Sequence, residues 1–241
     1  MNNSDVHSAI QSYLCRFHAR RVIGIESQSP NSIFDVLPKD FFVEKDLSAD
    51  YLQPNVSNYE VYYGIAKHYK PTTLLEIGVR FGYSFASMIK GAEDSIELAH
   101  GFDNNEYEEN SLAVAWARLG GVIPESVDFQ LFNINSQCIS NLDRSYDLIS
   151  IDGDHWYDSK LHDLTLTLDK CKVVVVDDYM EEIAHAGGMP LIEHGGAYQG
   201  FQPLFPIKAA VDEFVRRHKD KIKDHFLVES LRGIYIIEYK E

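Results

Sequence analysis

Four side chains able to do acid–base or metal chemistry stand in the second half of the chain. Asp152 and His155 lie in SIDGDHWYD (residues 150 to 158), and Asp177 and Asp178 close the run CKVVVVDD (171 to 178). Both groups follow apolar runs of strand length, which places them at the mouth of a sheet. Adjacent parallel strands lie about 4.8 Å apart, so Asp152 meets the acidic pair if the two strands are neighbours. Carboxylates gathered at one point raise one another's proton affinity unless a cation neutralises them. Oxygen ligands with room for water favour Mg²⁺, with Mn²⁺ or Ca²⁺ as substitutes, over zinc. A divalent cation stabilises an alkoxide as it forms, and an imidazole, with an unperturbed pKa of about 6.5, accepts the proton near neutrality. Asp152, Asp177 and Asp178 are thus the candidate metal ligands and His155 the candidate general base. A plainer role competes at each position: Asp154 or Asp158 is placed to cap a helix starting near Trp156.

A second set of residues closes an earlier strand, in LLEIGVRFGYS. Gly78 and Gly82 let the backbone turn sharply and approach a ligand, and a helix opening near Ser84 presents free N–H groups. The spacing is GxxxG, so the dinucleotide fingerprint GxGxxG is absent. Glu76, just before the first glycine, would repel a pyrophosphate but suits a cationic ligand such as the amino group and sulfonium of S-adenosylmethionine. Asp103, closing the next strand in HGFDNN, is placed to accept from ribose hydroxyls. The third strand ends in FNINSQ, where Asn133 or Asn135 can hydrogen-bond a base.

Positioning these residues requires a parallel sheet. From Val61 onward, apolar runs of strand length alternate with amphipathic stretches of helical period. A helix over 58 to 69 leads into TTLLEIG. SFASMIKGA reads as a helix, IELAHGFD as a strand, and Leu112, Ala115, Trp116 and Leu119 as the buried stripe of the next helix. VDFQLFNI and SYDLISID are strands three and four. Leu161, Leu164 and Leu168 mark a helix before the fully apolar fifth strand, and IKAAVDEFVRRH is the last helix. DHFLVES and RGIYIIEY, joined by a short turn near Gly233, must be antiparallel. Two regions fall outside the alternation. Residues 1–57 read as a helical N-terminal extension across the open sheet edge, and residues 58–241 as the domain proper. Within the latter, 180–206 is a Gly- and Pro-rich connection of the length typical of lids, carrying His185, Glu193, His194 and Tyr198.

The chain has 241 residues, 45% of them hydrophobic, enough for one large domain with a sizeable core. Its 37 acidic and 22 basic residues leave a formal charge of -15, which argues against a nucleic-acid partner. No signal-like leader and no 18-residue apolar run occurs, so the expected protein is cytoplasmic, with no membrane partner. Cys15, Cys138 and Cys171 lack any metal or disulfide spacing and read as buried small hydrophobes.

With LEIGVRFGYS, GFD and the terminal RGIYIIEY, residues 58 to 240 resemble the class I S-adenosylmethionine-dependent methyltransferases. The resemblance implies an α/β, Rossmann-like doubly wound sheet of seven strands, with an antiparallel last strand inserted beside the fifth. It also implies cofactor contacts at Glu76, Gly78 and Asp103, with Gly82 and Ser84 in the same loop. Asp152-x-x-His155 followed by an acidic pair is similar to the Mg²⁺-dependent O-methyltransferases that tailor sugars of macrolide and aminocoumarin antibiotics, and to their cephalosporin-pathway relatives. PIKAAVDEFVRRH resembles the helix after their lid. That likeness implies metal ligation by Asp152, Asp177 and Asp178, with Asp177 standing where some relatives have glutamate, and a general base at His155. The implied acceptor is a hydroxyl of a sugar or glycosylated small molecule, and the implied assembly a homo-oligomer. A catechol-type phenol acceptor, a noncatalytic accessory protein of the same fold and a nicotinamide-dependent dehydrogenase are the competing expectations. The missing GxGxxG and Glu76 speak against the last.

Overall fold

The computed structural model describes residues 24–42, 49–105, 110–181, 204–228 and 232–241, with the backbone alone at 49–57. Seven strands form one sheet: β1 (Thr73–Ile77), β2 (Leu98–Asp103), β3 (Asp128–Asn133), β4 (Tyr146–Ile151), β5 (Cys171–Val176), β6 (Ile222–Val228) and β7 (Ile234–Tyr239). Their spatial order is β3-β2-β1-β4-β5-β7-β6. The first five pair in parallel, while β7 runs antiparallel to both β5 and β6. The expected inserted last strand is therefore present. Chain order reverses between β1 and β4, and it is outside the carboxyl ends of strands at such a reversal that ligands bind.

Alternation along the central strands divides the core. Leu74, Leu148, Val173, Val175 and Ile236 face one layer, and Leu75, Ile149, Val174, Val176 and Ile237 the other. The first layer receives α1 (Ala49–Tyr69), α2 (Tyr83–Gly91) and α3 (Ser111–Leu119), through Tyr62, Ile65, Phe85, Met88, Leu112 and Leu119. The second receives α4 (Tyr157–Leu166) and α5 (Pro206–Arg217), through Leu164, Ile207, Val211 and Phe214. Strands covered on both faces explain the unbroken apolar run of β5.

Four details differ from the sequence expectations. Helix α1 begins nine residues before position 58 and runs through Pro54 and the expected 57/58 boundary. Pro54 removes one helical hydrogen bond, a loss outweighed by the full burial of Tyr62, Ile65 and Ala66 further along. Residues 24–42 lie against helices rather than along a strand edge. Ile25 and Ser29 crowd Gly64 so closely that a Cβ there would meet Ser29 Oγ at 2.4 Å, and Phe42 packs on Tyr83 with ring centroids 4.8 Å apart. Trp116 leaves the buried stripe of α3: it is half-exposed, its ring 4.8 Å from Phe129 on the edge strand β3. Cys138 is exposed and Cys171 half-buried, whereas Cys15 lies outside the described residues. Among the described residues no helix is long and apolar enough to cross a membrane.

Candidate active site

The cofactor half is built where β1 turns into α2. Gly78 and Gly82 both have left-handed backbone, with φ of 94° and 82°, and Arg80 between them has φ 47°. Glycine is required at 78 on two counts, since a Cβ would also lie 2.2 Å from the Asp152 carbonyl oxygen. The β1 turn and the end of β4 are therefore in direct backbone contact, reinforced by Asp152 N–H donating to Ile77 O at 2.8 Å.

Glu76 is fully buried on β1, and neither carboxylate oxygen has a hydrogen-bond partner. Burial drives its carboxyl well above the usual carboxylate range. The Ser84 side chain, buried in the first turn of α2, opposes that rise without a fully formed bond. A buried carboxylate without a donor is unfavourable unless a ligand brings one. The amino group of S-adenosylmethionine is such a donor, so Glu76 and the glycine turn fit this cofactor. Asp103 closes β2, in register with Asn133 at the end of β3. Its Oδ2 accepts from Arg80 N–H and its Oδ1 from Asn105 N–H, both at 2.7 Å. Asp103 thus holds the glycine turn in place, and its remaining lone pairs are what a ribose hydroxyl would meet. Asn133 is exposed at this rim. Asn135 instead turns its side chain to Gln137 N–H, 2.9 Å away.

The second half lies one strand over. Asp152 follows β4, and Asp177 and Asp178 follow the neighbouring β5. Ligand atoms of Asp152, His155 and Asp178 lie within 4.8 Å of one another. Asp177 is not part of that group: its Oδ1 accepts from the Asp178 N–H at 2.8 Å. Burial first, then the Asp178 charge, pushes the Asp177 carboxyl upward, and burial first, then Asp177 and Asp178, does the same to Asp152. The two carboxylates fit a hard divalent cation such as Mg²⁺ or Mn²⁺, and the imidazole stands beside them as the candidate base. Asp178 sits in left-handed backbone at φ 56°.

The structure adds residues that the sequence did not single out. Glu181 Oε2 lies 2.5 Å from His155 Nδ1, and Arg232 Nη1 donates at 3.2 Å to both Glu181 Oε1 and Asp178 Oδ2. Burial opposes ionisation of Glu181, but His155 and Arg232 together hold its carboxyl below the usual range. Lys160 and Asp163, one turn apart on α4, are fully buried, and Lys160 Nζ has no hydrogen-bond partner. Signals for these residues were present but ordinary: Glu181 continues the acidic stretch after β5, Arg232 precedes β7, and Lys160 reads as a surface lysine. Asp154 accepts from Ser159 Oγ at 2.8 Å, whereas the N-cap position of α4 is Trp156, whose side chain does not cap the helix. His185, Glu193, His194 and Tyr198 lie outside the described residues.

Residues 75–179, which span both halves of this site, match the family model described as a methyltransferase domain. Among solved structures, the SAH-bound methyltransferase PaMTH1 of Podospora anserina aligns over 100% of this chain and 98% of its own, at 18% identity and TM-score 0.56. An O-methyltransferase from Bacillus cereus in complex with SAH aligns over 96% and 97%, at 13% identity and TM-score 0.51. TomG of Streptomyces achromogenes, an O-methyltransferase involved in tomaymycin synthesis and bound to SAM, aligns over 81% and 83%, at 16% identity and TM-score 0.50. At these identities the likeness is one of fold. No curated protein matches the chain significantly.

Proposed function

We propose that this chain, with its methyltransferase domain over residues 75–179, is an S-adenosylmethionine-dependent O-methyltransferase that uses a divalent cation. One observation carries the reading. An unpartnered buried Glu76 and the Asp152, His155 and Asp178 group close adjacent strands at the reversal of the sheet. One end suits a cationic cofactor and the other an ionising hydroxyl.

When bound, S-adenosylmethionine supplies the methyl group and the cation lowers the proton affinity of the acceptor hydroxyl. The remaining work falls to the chain. Glu76 would accept from the cofactor's amino group, the Gly78–Gly82 turn would let the backbone approach it, and Asp103 would accept from its ribose. Asp152 and Asp178 would hold the cation, and His155 would take the hydroxyl proton at Nε2. Because Gly78 touches the backbone of Asp152, the two reactant sites are held at a fixed spacing, and positioning supplies much of the rate. The acceptor is a hydroxyl of a sugar or glycosylated small molecule in natural-product or polysaccharide biosynthesis. The Asp152-x-x-His155 pattern with its acidic pair supports the sugar acceptor, and the likeness in fold to an enzyme of tomaymycin synthesis supports the natural-product setting alone.

The test is calorimetric titration of S-adenosylmethionine and S-adenosylhomocysteine into the full chain, with Mg²⁺ or Mn²⁺ and after chelation. Micromolar binding of both is expected. Absence of binding under every condition would overturn the cofactor assignment.

A further inference from the structure

The short contact between His155 and Glu181 has a chemical direction. A carboxylate only accepts hydrogen bonds, so at 2.5 Å from Glu181 Oε2 the proton belongs to His155 Nδ1. In the neutral ring Nε2 then carries the lone pair. That atom faces the ion group, 3.6 Å from Asp178 Oδ2, and is too far from it for a hydrogen bond. Neutral histidine in water favours the opposite tautomer, with the proton on Nε2 and no lone pair available there.

Glu181 is itself held. Its other oxygen accepts from Arg232 Nη1, and the same nitrogen donates to Asp178 Oδ2, so a single guanidinium ties the acid on the imidazole to an acid of the ion group. Glu181 is outside the set of ligand atoms that converge within 4.8 Å. It meets the ring at Nδ1, whereas Nε2 is the nitrogen nearest Asp178.

We propose that Glu181 is a positioning residue: clamped by Arg232, it fixes His155 as the Nδ1–H tautomer and so keeps Nε2 free to take the acceptor's proton. The role of Nε2 rests on the methyltransferase reading, but the tautomer does not. In the reaction the O–H bond breaks, its proton goes to Nε2, and the oxygen's electron pair forms the new bond to the methyl carbon as sulfur departs with the old bonding pair. Nδ1–H remains on Glu181 throughout, stabilising the imidazolium.

The test uses the full chain labelled with ¹⁵N-histidine in alkaline buffer, with His155 assigned by loss of its signals in His155→Gln. Two- and three-bond ¹H–¹⁵N correlations should show a protonated Nδ1 and a bare Nε2 for His155. Glu181→Gln, whose amide oxygen still accepts, should keep that pattern, and Glu181→Ala should move it to Nε2–H. A wild-type Nε2–H pattern, or an unmoved pattern in a folded Glu181→Ala, would overturn the proposal. If Glu181→Ala does not fold, the wild-type spectrum decides. Once an acceptor is in hand, kcat should fall about 10- to 100-fold in Glu181→Ala at unchanged KM and recover in Glu181→Gln. Calorimetry with S-adenosylmethionine on the same wild-type sample separates the two readings. Failure to bind would remove the methyltransferase function and leave the tautomer standing.

Discussion

Asp178 and Glu76 are proposed to serve different ligands, and their separation can be read by mutation. Asp178→Ala removes one of the converging ligand atoms while leaving Glu76 and the glycine turn untouched. Heat from Mn²⁺ binding should disappear in this variant, and S-adenosylmethionine should bind within a few-fold of wild type; parallel loss of both would refute the division into two sites. The sequence placed Asp152, His155 and Asp178 at one locus because strand ends are visible in it. It could not tell Asp177 from Asp178, because only the fold shows that Asp177 Oδ1 is taken up by the Asp178 N–H while Asp178 joins Asp152 and His155. Glu181 and Arg232 were hidden for a related reason. They meet through the pairing of β7 beside β5, and they stand 51 residues apart in the chain.

At the scale of elements, two glycines make equally tight contacts in different places. A Cβ at Gly78 would strike the Asp152 carbonyl at 2.2 Å, and one at Gly91 would strike the Tyr63 carbonyl at 2.2 Å where α2 crosses α1. Each alanine variant should lose roughly 1–3 kcal/mol of stability through overpacking, and Gly78→Ala somewhat more because of its positive φ. Only Gly78→Ala should also weaken S-adenosylmethionine, measured by calorimetry on folded protein, because it alone parts the β1 turn from β4. Equal cofactor affinity in the two variants would contradict the placement of the cofactor. The order of these elements was legible from the alternation of apolar runs with helical periods. The start of α1 and the exposure of Trp116 were not, since both are set by tertiary neighbours: buried turns that outweigh a proline, and an edge strand that leaves an indole on the surface.

The whole molecule carries a formal charge of -15, and several of its acids are buried. Burial, partly offset by Lys160, pushes the Asp163 carboxyl up to about 6, while Glu76 and Asp152 are also raised, chiefly by burial. A carboxyl raised in the folded state gives stability that is complete below its unfolded value of about 3.9 and is lost as pH climbs through the folded value. For Asp163 the loss is on the order of 3 kcal/mol, or several degrees of melting temperature. In chelator the melting temperature should therefore fall from pH 4 to pH 7, with a shallower slope in Asp163→Asn. Added Mn²⁺ should recover it most at the alkaline end. A melting temperature that rises over this range would show that these acids are not buried as described.

The left-handed backbone of Asp178 reaches beyond mechanism into how the protein can change. A non-glycine residue in that conformation costs roughly 1–2 kcal/mol, which a glycine there would recover. Variants selected for heat resistance alone would drift toward Asp178→Gly and lose the proposed ion site as they gained robustness. Robustness and chemistry are thus opposed at a single codon, and the aspartate endures only while activity is under selection.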